Sequence, residues 1–281
     1  MRSIVLLATL LLTTLSQALT NSTPLQDLAF QSNVFIGSEA LDTDGSSVMG
    51  YCNATFISAQ VLVTAAHCIA ESLALSKDLL HVEIGAYKFV ARKSDGKVVN
   101  IGYAPIIKKD VSAHFIVSKA LQKKLAINGP SAQIPPSEDI GIIVLNDKLE
   151  LDANFVFANV IPRKIWSDLK TRLGSAQFSI VSINYFDTTS MDYKRSASLN
   201  KFSLSYGGWL ESQSTSRVEE GDSGSPLFVH YQNHTYLAAV VKGLATNIFS
   251  SWDVLPALST KACDIAHENN IATEFSDLFC K

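Results

Sequence analysis

At 281 residues, with 17% charged and 47% apolar side chains, the chain has the composition of a compact globular protein, which excludes long disordered regions. The formal net charge of −3 gives no lean toward nucleic acid or anionic membrane. No basic run is long enough to follow a phosphate backbone, so nucleic acid is excluded as a partner.

Arg2 precedes an apolar run, Ile4 to Leu15, and small residues follow at Ser16, Ala18 and Thr20. This is the layout of a signal peptide over residues 1–20. The run is shorter than the roughly 20 residues that span a bilayer, and no later stretch qualifies as a span. The expectation is an exported, soluble protein, extracellular or, in a bacterium, periplasmic, with no membrane partner. Residues 21–33 are polar and read as a leader or propeptide, and residues 34–281 as the folded domain.

From Val34 onward, short apolar or alternating runs are separated by Gly, Asn, Asp and Ser. Ala54–Ser58, Gln60–Thr64, His81–Ala86, Tyr87–Arg92 and Lys97–Tyr103 read as strands. So do Ile140–Leu145, Phe155–Ile161, Gln177–Tyr185, Phe202–Tyr206, Pro226–Tyr231 and Thr235–Gly243. Helical pattern is confined mainly to Ser112–Leu125 and Leu255–Asn269. Many short strands and few helices indicate an all-β sandwich or barrel. A loop rich in proline, Asn128–Glu138, leads to Asp139 at the start of a strand.

The four cysteines, Cys52, Cys68, Cys263 and Cys280, suit disulfides in an exported protein. They allow three pairings, among which spacing alone does not choose. None has metal-finger spacing, and neither a metal nor another cofactor is expected. Asn21, Asn53 and Asn233 open Asn-x-Thr/Ser sites, which are glycan acceptors if the source is eukaryotic.

Three distant stretches together supply a nucleophile and its activators. Gly221-Asp222-Ser223-Gly224-Ser225-Pro226 is a small-residue turn able to present the Ser223 hydroxyl. Thr64-Ala65-Ala66-His67-Cys68 offers a histidine, and Asp139-Ile140-Gly141-Ile142 a carboxylate ahead of a strand. A serine hydroxyl is a poor nucleophile unless a base takes its proton. His67 fits that role because an ordinary imidazole titrates at about 6.5, and such a base implies activity that falls below about pH 6–7. Asp139 would hold the other ring nitrogen. Singly, each residue has a plainer reading as a packed, capping or turn residue. His81, His114, His230, His234 and His267 are read that way.

In this order, the stretches resemble the trypsin-like (chymotrypsin-fold) serine endopeptidases. The likeness extends to Cys52 and Cys68, sixteen residues apart, and to Val160-Ile161-Pro162 after Asp139. It covers most of Val34 to about Asn269. The resemblance implies two six-stranded antiparallel β-barrels with a short C-terminal helix and a catalytic cleft between the barrels. It implies His67, Asp139 and Ser223 as a triad, with the backbone N–H groups of Gly221 and Ser223 as an oxyanion hole, each donor worth roughly 10²–10³ in rate. It also implies a Cys52–Cys68 bridge, which leaves Cys263 to Cys280. The partners implied are protein and peptide substrates and protein inhibitors, acting on a monomer.

By the same resemblance, Val34 would be a new N-terminus after a cut at Asn33, and its ammonium would pair with Asp222. The following Phe35-Ile36 departs from the family's small-residue pattern. The 72 positions from His67 to Asp139 imply a surface insertion around Ser94–Pro136. The specificity pocket departs most: Arg217 stands six before the serine, Glu219 replaces a bracing cysteine, and Val241-Lys242-Gly243 replaces the groove strand. Two cations, Arg217 and Lys242, suggest preference for an acidic residue before the cut bond. The rival from another class is an inactive protease-like homologue that binds partners. A lipase-type hydrolase fits poorly, because the Gly-x-Ser-x-Gly elbow is missing and the triad order differs.

Overall fold

The first half of the chain forms a sheet that closes on itself. Its elements are strands β1 (Thr23–Pro24), β2 (Asn33–Leu41), β3 (Ser47–Phe56) and β4 (Val61–Thr64), a 3₁₀ turn at Ala66–Cys68, helix α1 (Ala70–Ala74), strands β5 (Leu79–Arg92) and β6 (Val98–Ile116), helix α2 (Lys119–Asn128) and strand β7 (Gly141–Leu145). In the computed structural model, β2-β3-β4-β7-β6-β5 make a closed barrel whose printed strand pairs are all antiparallel. The structure describes residues 23–24, 32–41, 46–92, 98–129, 132–151, 155–183, 194–199, 202–205, 209–212, 218, 221–246, 251–256 and 258–280. The signal-peptide reading of residues 1–20 therefore lies outside the described residues.

Side-chain alternation explains how the barrel packs. Val34, Ile36, Ala54, Phe56, Leu62, Leu80, Val82, Ile143 and Leu145 share one core. Val61, Val63 and Ile142, one residue out of step, join a second core with Val181, Phe228 and Leu237. Strands β4 and β7 are thus buried on both faces, which is why they read as unbroken apolar runs.

The second half holds helix α3 (Arg163–Leu169), strands β8 (Gln177–Ile183), β9 (Lys194–Leu199), β10 (Phe202–Leu204), β11 (Trp209–Ser212), β12 (Pro226–Tyr231), β13 (His234–Val240), β14 (Gly243–Thr246) and β15 (Ser251–Pro256), and helices α4 (Leu258–Glu268) and α5 (Thr273–Ser276). These strands form two sheets, β1-β9-β8-β12-β13 and β10-β11-β15-β14. The sheets pack across one core, with Phe178 and Phe202 ring centroids 4.3 Å apart. The fold is mostly β with one closed six-stranded barrel. Among the described residues, the second half is two facing sheets rather than a closed ring.

Several expectations shift. Ser112–Ile116, read as helix, is the end of β6, because pairing with β7 from Ala113 to Ile116 overrides the local pattern. Helix α2 starts only at Lys119, capped by the Ser118 hydroxyl. Phe155–Ile161 forms no strand beyond a single bridge, Val160 to Leu237. Much of the lengthened segment before Asp139 is the β5–β6 ribbon followed by α2.

Within the stretch read as a leader, the described residues contact the folded domain. Thr23 and Pro24 pair with Ser196 and Arg195 of β9, while the Ser32 carbonyl accepts from the Phe56 amide at 2.8 Å. Asn33 and Val34 are both fully buried, and Val34 stands opposite Ala54 in the β2–β3 ladder. Val34 is thus an internal strand residue in the uncut chain.

The structure contains both disulfides, Cys52–Cys68 and Cys263–Cys280. Asn53 is fully buried, which removes it as a glycan site, whereas Asn233 stands in the β12–β13 turn with φ +63°. Expression through a glycosylating secretory pathway tests this contrast. Peptide mapping of the folded protein after enzymatic deglycosylation is expected to find conversion to Asp at Asn233 and none at Asn53.

Candidate active site

Strand pairing brings His67 and Asp139 together. Thr64, the last residue of β4, pairs with Gly141, the first of β7. His67 lies three residues beyond one end of this pair and Asp139 two residues before the other, so both overhang the same edge of the barrel. The 3₁₀ turns Ala66–Cys68 and Pro136–Glu138 then bend the two segments toward each other. The Cys52–Cys68 bridge ties the histidine turn to β3, and the Ser38 hydroxyl donates to the Cys68 carbonyl. A 16-residue disulfide loop contributes about 3 kcal/mol to stability.

Asp139 is fully buried and accepts three hydrogen bonds. The His67 backbone N–H donates to Oδ1 at 2.8 Å, and His67 Nδ1 lies 2.9 Å from Oδ2. Lys242 Nζ donates to the same Oδ2 at 2.9 Å. Burial pushes the Asp139 carboxyl up, but the His67 hydrogen bond and charge and then the Lys242 charge and hydrogen bond outweigh it. The net effect holds the carboxyl below its ordinary value. An ionised Asp139 carries no proton to share, so the proton between it and His67 sits on Nδ1. That leaves Nε2 as the lone-pair nitrogen of the neutral ring. The His67 side chain is one-third exposed.

The serine turn is built around a close approach. Gly224 has φ +77°, and a Cβ there would lie 2.0 Å from the Asn53 carbonyl oxygen and 2.3 Å from Thr64 Oγ1. Gly221, at φ +96°, also takes the left-handed backbone that favours glycine. The Ser223 carbonyl accepts from the Asn53 amide at 2.8 Å, Gly224 N–H donates to Val241 at 2.9 Å, and Ser225 N–H donates to Asp222 at 2.9 Å. Ser223 is thereby pinned against Asn53, next to Cys52 and bonded to Thr64, three residues before His67. Among the described residues no hydrogen bond joins Ser223 Oγ to His67. Both segments meet Thr64: Gly224 packs against its side chain, and His67 follows it by three residues.

Asn53 is a site residue that sequence reasoning read only as a glycan acceptor. Its Nδ2 donates to the Gly221 carbonyl at 2.9 Å, and its Oδ1 accepts from the Ile183 amide at 2.9 Å and from Asn33 Nδ2 at 3.4 Å. One side chain thus links β3 and β2 of the barrel, β8 of the second half and the serine turn. Asp222 is wholly buried beside it.

The pocket reading changes most. Lys242 does not serve as a pocket cation: its amine is committed to Asp139 and, at 3.0 Å, to the Ile134 carbonyl. Gly243, at φ +148°, faces open space where a Cβ would stand. Arg217 and Glu219 lie outside the described residues. Lys242, turned to the Asp139 carboxylate, offers no free cation to the pocket, and the acidic-residue reading then rests on Arg217 alone. Of the other histidines, His81 contacts Asp110, and His230 contacts Ser179 and Thr235.

The trypsin family model matches residues 31–248, and the chain belongs to the trypsin family. Among curated proteins no relative matches the chain. His67, Asp139 and Ser223 all fall within the matched range.

Two substitutions probe the turn. Gly224→Ala is expected to cost more than about 3 kcal/mol in urea unfolding, because both the backbone conformation and the space forbid a Cβ. Asn53→Ala is expected to cost about 2–3 kcal/mol, since it strands the Gly221 carbonyl and the Ile183 amide in the interior.

Proposed function

We propose that this trypsin-family chain is a secreted serine endopeptidase that cleaves peptide bonds through an acyl-enzyme on Ser223. The observation that carries the reading is the double hydrogen bond from His67 N–H and Nδ1 to one buried, ionised carboxylate. It fixes the tautomer and the ring orientation that a general base needs.

In the first step Ser223 Oγ bonds to the substrate carbonyl carbon while its proton passes to His67 Nε2. The carbonyl electron pair moves onto oxygen, which the N–H groups of Gly221 and Ser223 receive. Asp139 stabilises the imidazolium so formed without taking its proton. The carbon–nitrogen bond then breaks, and the amine departs with the proton from His67. Water repeats the sequence and frees the acid. Lys242 has no part in binding the substrate in this scheme.

Protein and peptide substrates follow from this chemistry, and protein inhibitors would bind the same cleft. No helix among the described residues is long and apolar enough to cross a membrane. Secretion is supported by the apolar N-terminal run and by the two disulfides, which persist in oxidising compartments.

Fluorophosphonate labelling of the secreted protein tests the reading. The wild type is expected to label and to hydrolyse a mixed peptide library. Ser223→Ala is expected to abolish labelling and to lower kcat by roughly 10⁶-fold. Labelling that persists in Ser223→Ala would assign another nucleophile. A wild type that folds but never labels would favour the inactive, partner-binding homologue instead.

A further inference from the structure

The contact between Lys242 and Asp139 is unusual in chemical terms. A carboxylate that orients an imidazole needs its charge to stabilise the imidazolium, yet here a lysine amine shares the very oxygen that His67 Nδ1 contacts. Both nitrogens lie 2.9 Å from Asp139 Oδ2, so they are at most twice that distance apart. The amine is held in place rather than roaming. It also donates to the Ile134 carbonyl at 3.0 Å, its side chain is only 26% exposed, and its stem leaves a backbone fixed by the Val241 N–H to Ser225 bond at 2.9 Å.

The groups around Asp139 are few. His67 comes from the turn after β4 and Lys242 from the β13–β14 junction. Glu138, next in the chain, is turned away to Lys124 of α2, 3.3 Å from its Nζ. Lys242 is therefore the one fixed cation against the Asp139 carboxylate among the described residues.

We infer that Lys242 is a positioning residue of the proposed triad, a fixed cation that holds the Asp139 carboxylate in the orientation His67 requires. The inference rests on the proposed protease reading for its kinetic consequence, but not for its electrostatic one. Without Lys242, Asp139 loses a donor and an opposite charge, so it takes up a proton at higher pH and its hold on the His67 ring weakens.

The test uses the full secreted chain, with Lys242→Met removing the charge and Lys242→Arg keeping it. In the kinetic arm, kcat is expected to fall about tenfold in Lys242→Met with KM little changed, and to be largely retained in Lys242→Arg. An unchanged kcat in Lys242→Met overturns the proposal, as does an equal loss in both variants.

The second arm needs no activity. The Asp139 carboxyl is held below its ordinary value in the folded protein, so its contribution to stability is present above the unfolded value and is lost as pH falls through the folded one. The difference in melting temperature between wild type and Lys242→Met is therefore expected to be largest near neutral pH and to shrink toward zero in strong acid. A difference constant across pH means that Lys242 acts only through packing, and the proposal fails. A wild type that does not label with fluorophosphonate sinks the protease reading and leaves this second arm to decide the electrostatic role.

Discussion

Taking a carboxylate out of water costs several kcal/mol unless donors replace its hydration, and the site is arranged around meeting that demand at Asp139. Two of the three donors come from His67, placed by the β4–β7 pairing within the barrel. The third comes from Lys242, between β13 and β14 of the second half. The charge is thus satisfied only when the two halves are docked. The orientation of His67 depends in turn on that charge, so the geometry of the proposed base is a product of the whole fold and not of the histidine turn alone.

The docking surface is itself partly polar. Asn33, Asn53, Ser182, Asp222 and Ser225 are all buried, and Asn53 reaches the Gly221 carbonyl on one side and the Ile183 amide on the other. An apolar seam of Val61, Val63, Ile142, Val181, Phe228 and Leu237 runs alongside. Apolar contact supplies most of the attraction but tolerates sliding. Directional hydrogen bonds in a low-dielectric interior are satisfied in only one relative position. The seam therefore accounts for cohesion, and the polar residues account for register at the serine turn.

How much of this could be read from the sequence depended on range. The His67, Asp139 and Ser223 stretches stood out because each is a local pattern of small and apolar residues around one reactive side chain. Parts of the barrel strands other than β2 were legible from their apolar runs, and the C-terminal helix from its periodicity, although it starts at Leu258 after a strand that ends at Pro256. Ser112–Ile116 misled because helical spacing is a weak signal where a neighbouring strand offers a ladder. Lys242 was read as a pocket cation and its contact with Asp139 was missed, because that partner is 103 residues away in the chain and a lysine stem reaches in many directions. Asn53 was hidden by its own tripeptide, whose glycan signal takes no account of burial.

The same contacts change what ordering of the serine turn requires. The turn is held from the barrel by the Asn53 amide and side chain and packs against Thr64, and from the second half by Val241. All of these are neutral groups. Val34, the residue that the family resemblance would make a charged terminus, is instead a buried rung of β2 opposite Ala54. Ahead of it, Thr23–Pro24 pair with β9, and the Ser32 carbonyl accepts from the Phe56 amide of β3. The backbone of the turn is held by neutral donors and acceptors from Asn53 and Val241, while the Asp139 carboxylate is held by His67 and Lys242.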